Sequence, residues 1–180
     1  MIELPIYSER ITLRAIQETD AHDIFSYRSL QEVARFQYWE PFNIEKAKSF
    51  AISCSSPQTN KYGEWIGLAI ITEGQFIGDC SLKFEKHFAE VGCNISPKFQ
   101  GFGYAKDTLN ILLSIAFEDS SIDEVIAITD SENLASIKLL ESLGMTKVLD
   151  FKNQIICKGS KCIEYKYSIE RTVWNNTKNG

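Results

Sequence analysis

The sequence predicts a mixed α/β domain whose sheet is antiparallel in its first part and locally parallel in the middle. Three observations predict it. From Trp65 to Ser96 the chain reads as strand throughout, turned back tightly at Glu73-Gly74. After Gly103 the apolar residues Ala105, Leu109, Leu112, Ala116 and Phe117 recur at helical spacings. Val125–Thr129 is short and apolar apart from Thr129, as a central strand covered on both faces should be. A second helical pattern follows it, so the middle of the chain reads as a βαβ unit.

The remaining elements follow in order. Ile11, Leu13 and Ala15 alternate with Arg10, Thr12 and Arg14, which is the period of a first strand. Asp20 opens a helix with an acidic first turn that leads into Ile24, Phe25 and Tyr27. Asn43 caps a second helix carrying Ile44, Ala47, Phe50 and Ala51, closed by a 53–60 loop. Phe76, Gly78, Cys80, Leu82 and Phe84 alternate on one hairpin strand, and Val91, Cys93 and Ile95 on the next. A helix is expected from about Asn133 to Leu143, with Gly144 at its C-terminal cap. Ile163, Tyr165, Tyr167 and Ile169 mark the last strand. The expected order is β-αα-βββ-α-β-α-ββ. Residues 1–174 read as a single domain and 175–180 as a frayed polar tail.

Composition narrows the function classes. At 180 residues and 44% hydrophobic, the chain suits one domain with a sizeable core. Nineteen basic against 24 acidic residues give a net charge of −5, which argues against a nucleic-acid partner. The longest apolar stretches, such as Ile66–Ile71, are far short of a bilayer span, so no membrane partner is expected. The N-terminus has no basic segment followed by an apolar one, so a cytoplasmic protein is expected. The five cysteines are odd in number and never spaced CxxC, so neither a metal site nor a disulfide framework is expected. His22 and His87 read as surface residues.

The informative stretch is Ser96-Pro97-Lys98-Phe99-Gln100-Gly101-Phe102-Gly103-Tyr104-Ala105, between a predicted strand and a predicted helix. Two glycines there let the backbone approach a ligand and aim several N–H groups at one spot. The helix start adds its positive end, so the place suits a phosphate or pyrophosphate. The Lys-Ser/Thr ending of a triphosphate loop is absent, and so is the GxGxxG spacing of a dinucleotide fold. By itself the stretch reads equally as a glycine-bearing turn that merely starts a helix.

Gln100, Gly103 and Ala105 fit the pattern Gln/Arg-x-x-Gly-x-Gly/Ala, and Asn133, Ser136 and Leu143-Gly144-Met145 follow one strand later. On these two motifs the chain resembles the GNAT superfamily of acetyl-CoA-dependent N-acetyltransferases. Ser8-Glu9-Arg10-Ile11-Thr12-Leu13-Arg14, Tyr38-Trp39-Glu40-Pro41, Ile77-Gly78 and Glu90-Val91-Gly92 resemble its ribosomal-protein-alanine N-acetyltransferase branch. The resemblance spans residue 8 to about 169. It implies a GNAT-like acyl-CoA N-acyltransferase fold, with acetyl-CoA lying where two central strands splay apart. Backbone N–H groups of Gly101, Phe102, Gly103, Tyr104 and Ala105 would hold the pyrophosphate, in a loop that Gln100 opens. The main chain at Ile95 would pair with the pantetheine arm, and Asn133 would offer it an amide, or cap the helix, or both.

The resemblance further implies direct acetyl transfer to an amine acceptor. Many members use a Tyr seven residues after the motif Asn as the acid; here that position is Leu140. Ser136 is then the acid candidate, set against simple hydrogen bonding to the CoA sulfur or the helix backbone. Glu90 is the base candidate, set against an exposed strand-end carboxylate and a water chain. The aromatic cluster Phe36, Tyr38, Trp39 and Phe42 reads as packing or as a wall of the acceptor site. The expected acceptor is a protein N-terminal residue. A small polyamine or aminoglycoside-like amine is the alternative, and a silent acyl-CoA-binding module the reading from another class. Family members are often homodimers, but no residue pattern fixes an interface.

Overall fold

The computed structural model describes every residue except Met1, Gln58, Asn60, Asn179 and Gly180, and only the backbone of Thr177 and Lys178. Two short N-terminal strands, β1 (Ile6–Tyr7) and β2 (Thr12–Ala15), precede three helices, α1 (Ala21–Arg28), α2 (Gln31–Ala34) and α3 (Ile44–Cys54). A meander of β3 (Trp65–Thr72), β4 (Gln75–Phe84) and β5 (Phe88–Ile95) follows. Then come α4 (Tyr104–Glu118), β6 (Glu124–Asp130), α5 (Leu134–Ser142), β7 (Thr146–Cys157), β8 (Ser160–Glu170) and α6 (Arg171–Lys178). The eight strands form one sheet in the order β1-β2-β3-β4-β5-β6-β8-β7. All neighbours are antiparallel except β5 and β6. This is the mixed sheet with one parallel pair that the periodicities predict.

Local chemistry explains the boundaries. The Asn43 side chain accepts from the Lys46 N–H at 2.8 Å and starts α3. Glu73 and Gly74 both have positive φ, 48° and 76°, the geometry of a primed hairpin turn. Gly144 lies just past α5 at φ 80°, where a side chain would be strained.

Two cores lie on opposite faces. Leu109, Leu112 and Leu113 of α4 pack on Leu68, Ile70, Leu82 and Val125 on one face. Beneath α1 and α3, Ile24, Phe42, Ala47 and Ala51 pack with Ala69 on the other. β3 and β4 are therefore covered on both sides, which corrects the simple alternation expected of β4. A register shift opposite Ile70/Ile71 inserts Ile77 as an extra residue, so Ile77 joins Cys80 and Leu82 in the first core. A Cβ on Gly78 would overlap the Asn94 carbonyl oxygen, a backbone atom that cannot swing away. Gly78→Ala is therefore expected to cost about 2–3 kcal/mol by forcing β4 from β5. Urea unfolding measures it; an unchanged midpoint would contradict the close approach.

The C-terminal segment differs in part from its sequence reading. The segment 175–180, read as a frayed tail, begins inside α6, and its last two residues lie outside the described chain. Arg171 ties α6 down by donating to the carbonyls of Phe117, Asp119 and Ile122, and Trp174 stacks on Phe117. Among the described residues no helix is long and apolar enough to cross a membrane.

Candidate active site

The site begins with a failure of pairing. β5 and β6 are in register only from Phe88–Glu90 against Glu124–Ile126. Beyond that, β5 runs on to Ile95 and β6 to Asp130 with no partner between them, so the two strands open a wedge. The Ser96 N–H bonds the Ile77 carbonyl on the β4 side. By the alternation of an antiparallel strand, the peptide groups of Ile95 and Cys93 turn into the wedge. The Gln100 side chain donates to the Ile95 carbonyl at 2.9 Å, which ties the following loop to the strand end. Gln100 thus holds the loop, and the Ile95 N–H stays free to meet a ligand.

The loop carries the clearest ligand signal. None of the backbone N–H groups of Gly101, Phe102, Gly103, Tyr104 and Ala105 has a hydrogen-bond acceptor among the described residues. Gly101 and Gly103 have φ 82° and 87°, and Gly103 is the N-terminal cap of α4. Five adjacent donors at the start of a 15-residue helix form an anion cradle. The donor set fits a pyrophosphate. Phe102 itself is exposed and does not line the cleft, so only its peptide can serve.

Arg10 sets the shape of that cradle, a role that its place in the chain does not announce. Its guanidinium forks onto the Asp107 carboxylate, donates to the Phe102 carbonyl at 3.0 Å and lies 5.1 Å from the centre of the Tyr104 ring. Asp107 sits in the first turn of α4, so Arg10 locks the first strand region to the loop and the helix together.

On the opposite wall, Asn133 caps α5, its side-chain oxygen accepting from the Ser136 N–H at 3.1 Å. Ser136 is half-buried and lines the cleft, and its hydroxyl has no hydrogen-bond partner among the described residues. The helix-backbone reading of Ser136 is thus not what the geometry has. Leu140, where a tyrosine acid would stand, is buried. Glu90 also lines the cleft and pairs with Lys83 at 3.3 Å, with its side chain 18% exposed. It is neither a free surface carboxylate nor an isolated one.

These walls enclose a cleft of about 760 Å³. Its far end is lined by Phe36, Tyr38, Glu164 and Cys157. The hairpin of β7 and β8 closes this end, Lys158 reaching the Ala34 carbonyl at 2.5 Å. Tyr38, most of whose ring is exposed, donates its hydroxyl to Glu164, and partial desolvation of that hydroxyl with the carboxylate beside it pushes its phenol up. Of the aromatic cluster, Phe36 and Tyr38 border the cleft, whereas Trp39 and Phe42 pack around Arg28. Cys93 lines the cleft, and burial, with Asp79 adding to it, pushes its thiol up to about 12. It is therefore a thiol, a poor nucleophile, at neutral pH. His22 and His87 are exposed.

Comparison with known proteins agrees with this geometry. The acetyltransferase (GNAT) domain profile matches residues 10–146. Over 152 residues the chain is 31% identical to the FsC-acetyl coenzyme A-N(2)-transacetylase of Aspergillus fumigatus, covering 76% of this chain but 63% of that protein. The chain thus spans under two thirds of that relative's length. It is 26% identical to the uncharacterized N-acetyltransferase YnaD of Bacillus subtilis, covering 94% of this chain and 99% of that one. Among solved structures, a GNAT-family acetyltransferase from Bacillus anthracis superposes with a TM-score of 0.80 at 22% identity, covering 93% and 98% of the two chains. With the profile spanning most of its length, the chain belongs to the GNAT family of acetyltransferases.

Proposed function

We propose that this chain moves an acetyl group from acetyl-CoA to a primary amine by direct attack within a ternary complex. The observation that carries this reading is the row of five unsatisfied N–H groups from Gly101 to Ala105 beside the open wedge. Acetyl-CoA supplies the activated acyl group. The loop would bind its pyrophosphate, the Ile95 and Cys93 peptides would align the pantetheine arm as an added strand, and the free amide nitrogen of Asn133 would reach it from α5.

The chemistry assigned to the chain follows. The neutral amine attacks the thioester carbon, the C–N bond forms and the C–S bond breaks. Glu90, directly or through water, receives the proton that the amine must lose. The Ser136 hydroxyl hydrogen-bonds the departing sulfur, and its lack of an internal partner supports that role. The raised Cys93 thiol favours direct attack over an acyl-enzyme route. The acceptor we favour is a protein N-terminal residue, on the resemblance to the alanine-acetylating branch. A small cationic amine is the second reading, favoured by the carboxylates of Glu90 and Glu164 in the cleft lining.

Free-thiol release from acetyl-CoA with peptides, polyamines and aminoglycosides tests this. Ser136→Ala is expected to lower kcat by about tenfold to a hundredfold, with CoA affinity little changed. Tight CoA binding without thiol release for any acceptor would favour a silent binding module instead.

A further inference from the structure

Glu164 is 7% exposed, yet it lines the cleft. One of its oxygens accepts from the Tyr38 hydroxyl and the other from the Asn153 amide at 3.0 Å, and both donors are neutral. Among the described residues, no basic nitrogen lies within 4.0 Å of it, whereas the buried Asp20 and Asp79 pair with Arg14 and Arg28. Glu90 is likewise neutralised by Lys83. A carboxylate withdrawn from water without a cation is costly, and neutral donors leave its charge in place. Glu164 is therefore the buried anion of this cleft that still lacks its cation.

The reacting amine is the wrong cation for it. The proton of that amine goes to Glu90, and an amine still held as the ammonium partner of Glu164 could not attack. Glu164 also stands away from the thioester. It lies on β8 in register with Asp130 of β6, while the wedge lies on the far side of β6 against β5. The wedge between β6 and β5 therefore lies more than one strand spacing from β8, more than ~5 Å, a span of a few methylenes.

Resting on the acetyl-transfer reading of this cleft, we infer that Glu164 seats a second ammonium of the acceptor, one that keeps its proton while the other nitrogen reacts. The acceptor class is then an amine carrying another cationic group several bonds from the nitrogen that is acetylated, which selects the small cationic amine, the second reading above, over a protein N-terminal residue. Tyr38 and Asn153 hold the carboxylate in place as positioning residues.

Calorimetric titration of the CoA-saturated protein with α,ω-diamines of increasing length, each beside the n-alkylamine of equal length, tests the seat. Diamines of the best length are expected to bind at least about tenfold more tightly than their monoamine partners, the scale of one charge-assisted hydrogen bond. Glu164→Gln, checked for fold by circular dichroism, should erase that preference. Glu164→Asp withdraws the carboxylate by one methylene, so it should keep part of the preference and shift it to a longer diamine. Equal affinities in the wild type, no diamine binding, or a preference that survives Glu164→Gln would overturn the seat. So would a kinetic loss in Glu164→Gln confined to kcat with the acceptor KM unmoved, which would make Glu164 the base. Thiol release is followed in parallel. Its absence from the wild type would strike the acetyl-transfer reading alone, because the binding series decides the seat by itself.

Discussion

Gly103→Glu is expected to abolish CoA binding in a protein that still folds. Gly103 has φ 87° and caps α4, and a Cβ there would come within 3.0 Å of an Arg10 guanidinium nitrogen. The left-handed conformation costs an L-residue about 1–2 kcal/mol, a local penalty that the domain can absorb. The new carboxylate would lie at a helix start, among N–H groups with no internal acceptor, and would fill the anion position itself. It would also draw Arg10 away from Asp107 and the Phe102 carbonyl. Losing two charge-assisted hydrogen bonds to the pyrophosphate is worth about 3–6 kcal/mol, more than a hundredfold in affinity. Calorimetry with CoA reads this directly. Near-normal affinity in the folded variant would remove the phosphate site from this loop.

Arg28→Met is expected to be the most destabilising single change in the chain. Arg28 and Asp79 are both buried, and the guanidinium donates to Asp79 through Nε at 3.0 Å and Nη2 at 2.5 Å. The Tyr27 hydroxyl donates to the same carboxylate, and burial beside Asp79 raises its phenol strongly. Trp39, Phe42 and Phe50 surround the guanidinium at 4.3–5.2 Å. Removing Arg28 leaves Asp79 as a buried charge without a cation, a loss of about 3–5 kcal/mol. That is a large part of the ~5–15 kcal/mol a domain commonly has. The double variant Arg28→Met with Asp79→Leu should regain most of it, since the residual cost then lies only in packing. Urea midpoints for the two single variants and the double decide. Additive losses would contradict a coupled buried pair. The pair also bears on the site, because Asn94 reaches toward Asp79 at 3.5 Å and precedes Ile95 on β5.

Features set by neighbours in sequence were legible. The Asn43 cap, the Glu73-Gly74 turn, the helical face of α4 and the glycines of the loop before it each declare themselves within a few residues. β7 did not, because an edge strand with scattered burial shows no period, and its register jumps between Lys147 and Lys152. Phe76 does not share the face of Cys80 and Leu82 that simple alternation expects, because the one-residue bulge at Ile77 shifts the phase between them and Phe76 packs in the second core. The charged architecture was illegible for a different reason. Arg10 meets Asp107, Arg28 meets Asp79 and Tyr38 meets Glu164 across 97, 51 and 126 residues. No local pattern encodes such partners, and only the folded sheet brings them together. The proposed cofactor half of the site is written into one loop, whereas the proposed acceptor half is assembled from the segment after α2 and from β5, β7 and β8.

Direct transfer from acetyl-CoA to an amine in this cleft leaves a distinct kinetic signature. A single-turnover experiment with isotopically labelled acetyl-CoA, enzyme in excess and an amine acceptor tests it most directly. Direct transfer predicts that label on the amine appears in step with free thiol, with no labelled protein at any time. Thiol release with the label first on a cysteine of the protein, or with no labelled amine at all, would contradict it.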